Sequence, residues 1–136
     1  MPHQPNAASS FVAESLQASL TVDDLAASVA WYRDVVGFTV DREHRRDERL
    51  FAVSLSAGTA RILLTQDDGT RGADRVKGAG FSLMLTTTQS IDDLAAGIQA
   101  RGGVLELPPT DMRGMRAFRI QDPDGFRFTI ASRPRT

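Results

Sequence analysis

The chain has 136 residues, with 16 Lys plus Arg against 17 Asp plus Glu and a net charge of −1. That length supports one domain with a real core, and that balance offers no broad basic field to nucleic acid. The absence of cysteine excludes disulfides, thiol nucleophiles and thiolate metal sites. No apolar run approaches the roughly 18 residues that a membrane span requires, so the expectation is a cytoplasmic protein with neither nucleic-acid nor membrane partners.

Residues 1–12 are rich in Pro, Ala, Ser and Asn and lack the basic start and apolar stretch of an export signal, which reads as a disordered tail. Residues 16–22 alternate apolar and polar, as a half-buried strand does. Asp23 or Asp24 can cap a helix. Leu25, Val29, Tyr32 and Val36 then share one helical face, and Gly37 supplies a left-handed stop. Three short strands follow at 38–40, 50–55 and 60–65, the second placing Phe51, Val53 and Leu55 on one face. The charged segment 41–49 joins the first two as a solvated hairpin or loop, with Arg42, Arg45, Arg46 and Arg49 interleaved by acids. Residues 67–79 are polar and without periodicity, and form a linker.

The pattern then restarts. A strand at 80–85 leads to a helix capped by Asp92 or Asp93 and carrying Leu94 and Ile98, which ends at 101–103. Strands follow at 104–107, stopping at Pro108-Pro109, at 117–121 and at 126–131. Asp122-Pro123-Asp124-Gly125 between the last two is a tight hairpin turn. The word DDLAA stands at both helix starts, at 23–27 and at 92–96. The chain therefore reads as one unit written twice, strand–helix–strand–strand–strand. A lone unit cannot cover its own sheet, so two must pack together.

Three stretches, LTVDDLAASVAWYRDVVGF, DDLAAGIQARGG and DPDGFRFTI, in this order and spacing, resemble the vicinal oxygen chelate superfamily. That group contains the glyoxalases, the bleomycin resistance proteins and the extradiol dioxygenases. Trp31-Tyr32 stands where the family has Phe-Tyr, and Val36-Gly37-Phe38 where it has Leu-Gly-Phe. The resemblance implies an α+β fold of two βαβββ modules forming an open, curved mixed sheet around a cavity. It assigns a single domain to 13–133, with module one at about 14–66, a linker at about 67–79 and module two at about 80–132. It also implies a homodimer.

In the metal-dependent members, four ligands, usually His, Glu or Gln, point into the cavity. Carried over residue by residue, the first falls at Gln17 and the second at Leu63 or its neighbour Leu64. The third falls at Gly80 or Phe81, and the fourth at Thr129, where the enzymes carry Glu. Only Gln17 is a plausible ligand, and a divalent ion needs several converging carboxylate or imidazole groups. The two histidines do not restore the set, since His3 lies in the tail and His44 reads as a solvent-exposed residue of the charged connection. Asp67-Asp68 reads as a polar loop. No metal, cofactor or catalytic set is therefore expected.

What remains is the cavity. If Ala18, Leu20 and Val22 pack against the helix, then Gln17, Ser19 and Thr21 face inward. By the same parity Ser82, Met84, Arg127 and Thr129 face inward in module two. This lining suits a small organic molecule. Arg113, Arg116 and Arg119 could salt-bridge an anionic ligand or form a solvated rim. The expectation is a metal-independent small-molecule (drug or metabolite) binding protein. The alternatives are a metal-dependent lyase or dioxygenase with a non-standard ligand set, and a metal-free enzyme.

Overall fold

Leu20 and Val22 are buried while Gln17 and Ser19 are exposed, so the first strand, β1 (Gln17–Val22), has one apolar and one polar face. The computed structural model describes residues 10–70, 72 and 76–133; the other residues, including most of the expected tail, His3 and part of the linker, lie outside the described chain. Asp24 caps α1 (Leu25–Ala30), its carboxylate accepting the Ala27 N–H at 3.1 Å. The helix continues as a wider π-helical turn, Trp31–Val36, and stops at Gly37 with φ 108°. Strands β2 (Thr39–Arg46), β3 (Arg49–Ala57) and β4 (Ala60–Gln66) complete the module. The second module repeats the order as β5 (Ser82–Thr87), α2 (Ile91–Ala100), β6 (Leu105–Met112), β7 (Met115–Gln121) and β8 (Arg127–Ser132).

The two modules share one topology. Each forms a four-stranded mixed sheet, β1-β4-β3-β2 and β5-β8-β7-β6, in which the first and last strands of the module run parallel. Gln17 pairs with Arg61 and Ser82 with Arg127, so the structural repeat is 65 to 66 residues. The two DDLAA words are 69 residues apart. The first straddles its helix start, and the second lies inside α2, which is capped by Ser90 rather than by Asp92 or Asp93. The repeat is real, but the repeated word stands almost one helical turn out of register with it.

Two other expectations change. The charged segment 41–49 is strand over most of its length: β2 extends to Arg46, and the turn is Asp47-Glu48, both with positive φ. An edge strand facing solvent tolerates charges on both faces, and two register shifts hide its alternation. Strand β6 likewise runs on through Pro108-Pro109 to Met112. It too is an edge strand, and the prolines sit in an irregular stretch of its pairing, between Leu107 and Thr110, where a missing N–H costs little.

The helices cover one face of each sheet, and both modules feed one core that includes Leu20, Tyr32, Leu64, Ile98, Phe118 and Phe128. Tyr32 joins them most directly. Its ring meets Phe38 and Phe128 edge to face at 5.6 Å each, and its hydroxyl donates to Asp122 Oδ2 at 2.6 Å. Asp122 is buried and also accepts the backbone N–H groups of Asp124 and Phe126. Asp124, next along the turn, accepts the Asp23 N–H at 2.8 Å and the Ser28 hydroxyl at 3.3 Å. The last hairpin turn of module two is thereby seated on the helix start of module one. Arg101 adds a second tie, donating to the Val35 carbonyl at 2.9 Å.

Burial raises the Tyr32 phenol, with help from Asp122. Burial likewise pushes the Asp122 carboxyl above its ordinary value, against the hydrogen bonds it accepts. A carboxyl that holds its proton more tightly when folded makes stability fall as pH rises from the ordinary carboxylate range through the raised value. Asp122→Asn should remove that fall, visible as the difference between two stability–pH curves from urea unfolding; parallel curves would refute the assignment. Tyr32→Phe should cost about 1 to 3 kcal/mol, because a buried acceptor loses its donor.

Gly78, with φ +78°, packs directly on the Gly125 carbonyl, so a Cβ at this position would collide with backbone. Gly78→Ala should lower the melting temperature through both the clash and the left-handed conformation. Gly72→Ala, also at positive φ but in open space, is the control that carries only the conformational cost, and equal losses in the two variants would remove the packing argument.

Candidate functional site

The sheet faces turned away from the helices hold the candidate residues. On the first sheet, register aligns Gln17 with Arg61 and Ser56, Ser19 with Leu63 and Ser54, and Thr21 with Thr65 and Ala52. On the second it aligns Ser82 with Arg127 and Gln121, Met84 with Thr129 and Arg119, and Thr86 with Ala131 and Ala117. The opposite parity, Leu20, Val22, Leu64, Phe118, Ile120 and Phe128, belongs to the core. Period-two alternation alone produces this division.

The structure does not bring all seven candidates together within one chain. Ser19 and Thr21 line a shallow pocket of about 240 Å³ with Val76, Lys77, Gly78 and Phe126. Ser82, Met84, Arg127 and Thr129 lie on the other sheet, where Met84 is 57% exposed and Thr129 is buried in the sheet surface. Gln17 is exposed at the start of its strand. Arg127 Nε donates to Glu106 Oε2 at 3.1 Å, which occupies its charge. A further shallow pocket of about 230 Å³ runs along α2 beside Ser90, Gly97 and Arg101, away from both faces.

Lys77, inside the aperiodic linker, gave no sequence signal. Its side chain is 7% exposed, and Nζ lies 2.5 Å from Asp23, 2.9 Å from Asp67 and 3.7 Å from Asp124. Burial works to lower the ammonium, but hydrogen bonds to Asp23 and Asp67 outweigh it and hold the group above its ordinary value. Asp67 also accepts the Gly69 N–H at 2.8 Å, and Asp68 the Thr70 N–H at 3.0 Å, so the Asp67-Asp68 pair organises a turn at the strand exit. His44 differs from expectation. It is half-buried, its Nε2 lies 2.9 Å from Ser54 Oγ, and its ring faces Phe51 at 6.3 Å.

The three arginines considered together in the sequence separate in space. Arg116 forks onto Asp92 and also meets Asp111, and these hydrogen bonds raise its guanidinium further. Arg113 stands in the β6–β7 turn with φ 51°. Arg119 alone joins the open face, where its Nε reaches Thr129 Oγ1 at 3.4 Å.

The positions to which the resemblance carries the metal ligands are Gln17, Leu63 or Leu64, Gly80 or Phe81, and Thr129. An amide, an apolar side chain, a residue without a donor and one hydroxyl do not make a set for a divalent ion. Among the described residues no three of His, Cys, Asp and Glu converge as ligands. The donor chemistry does not fit the family's metal.

The model for the Glyoxalase/Bleomycin resistance protein/Dioxygenase superfamily matches residues 15–130. The chain belongs to that superfamily. Solved structures agree on the fold. The antibiotic binding protein TnmS3 from a Streptomyces strain superposes with a TM-score of 0.72 at 20% identity, covering 89% of this chain and 96% of that one. TioX from a Micromonospora strain gives 0.71 at 16% identity, covering 88% and 98%. A superfamily member from Sphaerobacter thermophilus gives 0.68 at 24% identity, covering 89% and 98%. No curated protein sequence matches. Among the described residues, no helix of this superfamily member is long and apolar enough to cross a membrane.

Replacing Lys77 tests the corner beside the Ser19 and Thr21 pocket. Lys77→Met removes the ammonium that Asp23, Asp67 and Asp124 share, and removing one partner of a buried ion pair costs about 3 kcal/mol or more. The loss should shrink in acid, where a protonated carboxyl no longer needs a cation beside it. Urea unfolding at neutral and acidic pH reads both effects; a loss independent of pH would refute the charge argument.

Proposed function

We propose that this superfamily member is a metal-independent binding protein for a small organic molecule, drug or metabolite. The observation that supports the reading is the chemistry of the four positions to which the resemblance carries the metal ligands: Gln17, Leu63 or Leu64, Gly80 or Phe81, and Thr129 do not make a metal-binding set. Gln17, Ser19, Thr21, Ser82, Met84, Arg127 and Thr129 form the proposed ligand surface, neutral and hydrogen-bonding on one sheet, apolar and cationic on the other. The antibiotic-binding character of TnmS3, at 20% identity, supports a ligand-holding role for this fold without fixing the ligand.

The same reading includes a homodimer in which a second copy closes the open faces. Met84 is 57% exposed and Phe81 42% exposed on the chain alone, and exposed apolar side chains beside a polar sheet face suit an interface. It also places the protein in the cytoplasm, where a cysteine-free chain needs no oxidising compartment.

A thermal-shift screen of small organic compounds, run with and without chelator, tests the function. A ligand at about 100 times its Kd stabilises by about 2.7 kcal/mol, a rise in Tm of roughly 10 °C for a chain of this size. At least one compound should raise Tm so, and the chelator should leave the shift unchanged. Binding that appears only after loading with nickel, zinc, manganese or iron would overturn the metal-free reading. Sedimentation of the purified chain as a monomer would overturn the dimer.

A further inference from the structure

The chain carries a net charge of −1, and arginines stand on both open sheet faces. Register places Arg42 and Arg61 on the first face and Arg119 and Arg127 on the second. Two carboxylates are bonded into the same faces, Asp41 through Ser56 and Glu106 through Arg127.

The arginines are not equivalent. At the Thr21 end of the first sheet, Lys77 is already shared by Asp23, Asp67 and Asp124. Arg61 stands at the opposite end, beside Gln17, and is exposed. On the second sheet Arg127 is neutralised by Glu106. Arg119 is different: it is half-buried, and among the described residues it has no carboxylate within salt-bridge reach, only the Thr129 hydroxyl on Nε. Its two terminal nitrogens remain to bind a planar or tetrahedral acid group. The row beyond it holds Ala117 and Ala131, both buried. Met84, in register with Thr129, offers an adaptable apolar wall for the rest of a ligand.

We propose that the ligand is a small organic anion whose acid group, a carboxylate or another oxyanion, is seated on Arg119 with Thr129 beside it, and whose apolar body lies against Met84. The proposal rests on the binding reading above and narrows it to one charge class. It makes Arg119 the specificity-determining residue of the second sheet.

A matched pair of fluorescent probes tests it: anilinonaphthalene sulfonate, and N-phenylnaphthylamine, which has the same rings without the acid. The full chain should bind the sulfonate roughly tenfold or more tighter, the equivalent of about 1.4 kcal/mol. Arg119→Gln should abolish that preference by weakening the sulfonate alone, Arg119→Lys should recover most of it, and Arg113→Gln should change nothing. Equal affinity for both probes would overturn the anion preference while leaving small-molecule binding standing. Tight sulfonate binding that Arg119→Gln does not weaken would place the acid elsewhere and overturn the assignment. Binding of neither probe would count against both readings. Unchanged melting curves for the variants separate a lost charge from a lost fold.

Discussion

A phenol and a carboxylate, 90 residues apart in the chain, hold the two halves of this protein in one arrangement. Tyr32 leaves the first helix where the winding loosens into a π-turn, and the extra width carries its ring into the shared core. Asp122 opens the last hairpin turn and is satisfied three ways, by the Tyr32 hydroxyl and by two N–H groups of its own turn. Each of these bonds would be ordinary alone. Together they seat a rigid loop of one module on the helix start of the other, and Asp124 and Lys77 complete the seat. That contact fixes how the last turn of one module sits against the first helix of the other.

Much of the architecture was legible because alternation is a strong signal. Leu20, Val22, Phe128 and Ile130 stand in plain period-two patterns, and their strands are found where the pattern puts them. The superfamily assignment rested on short words at a fixed order, and the family match over 15–130 agrees with it. What escaped has physical reasons. The edge strands β2 and β6 tolerate charges and prolines, so composition alone disguises them as loops. Ser90 caps α2 although two aspartates stand closer to the apolar run, because a slip of two or three residues decides which side chain meets the free N–H. The site was legible by parity only; that Ser19 and Ser82 lie on separate faces is a fact of packing, which no local pattern encodes. Lys77 could not be found at all, since its partners come from three distant segments.

The open faces show how little must change for one fold to exchange its chemistry. A sheet that presents converging carboxylates and imidazoles holds a metal; the candidate faces here present amide, hydroxyl, thioether and guanidinium instead. Hydroxyls and amides accept many partners in many directions, whereas a guanidinium selects by charge and shape. The balance between Arg119, with its free terminal nitrogens, and Arg127, already paired with Glu106, therefore sets how selective the second face is.

The seating of the final turn has a consequence for how the chain is made. Tyr32 is synthesised long before Asp122, and until residue 122 emerges its hydroxyl has no buried partner. Module one can form its local strand pairs early, but Phe128, which closes over the Tyr32 ring, arrives still later. A ribosome-bound fragment ending before the last hairpin would expose Tyr32 and Phe38, apolar surface that the finished chain buries. Contacts of such long sequence separation slow the closing step, so residues 122–132 act as the latch of the domain, and the chain is most exposed to aggregation before they are made.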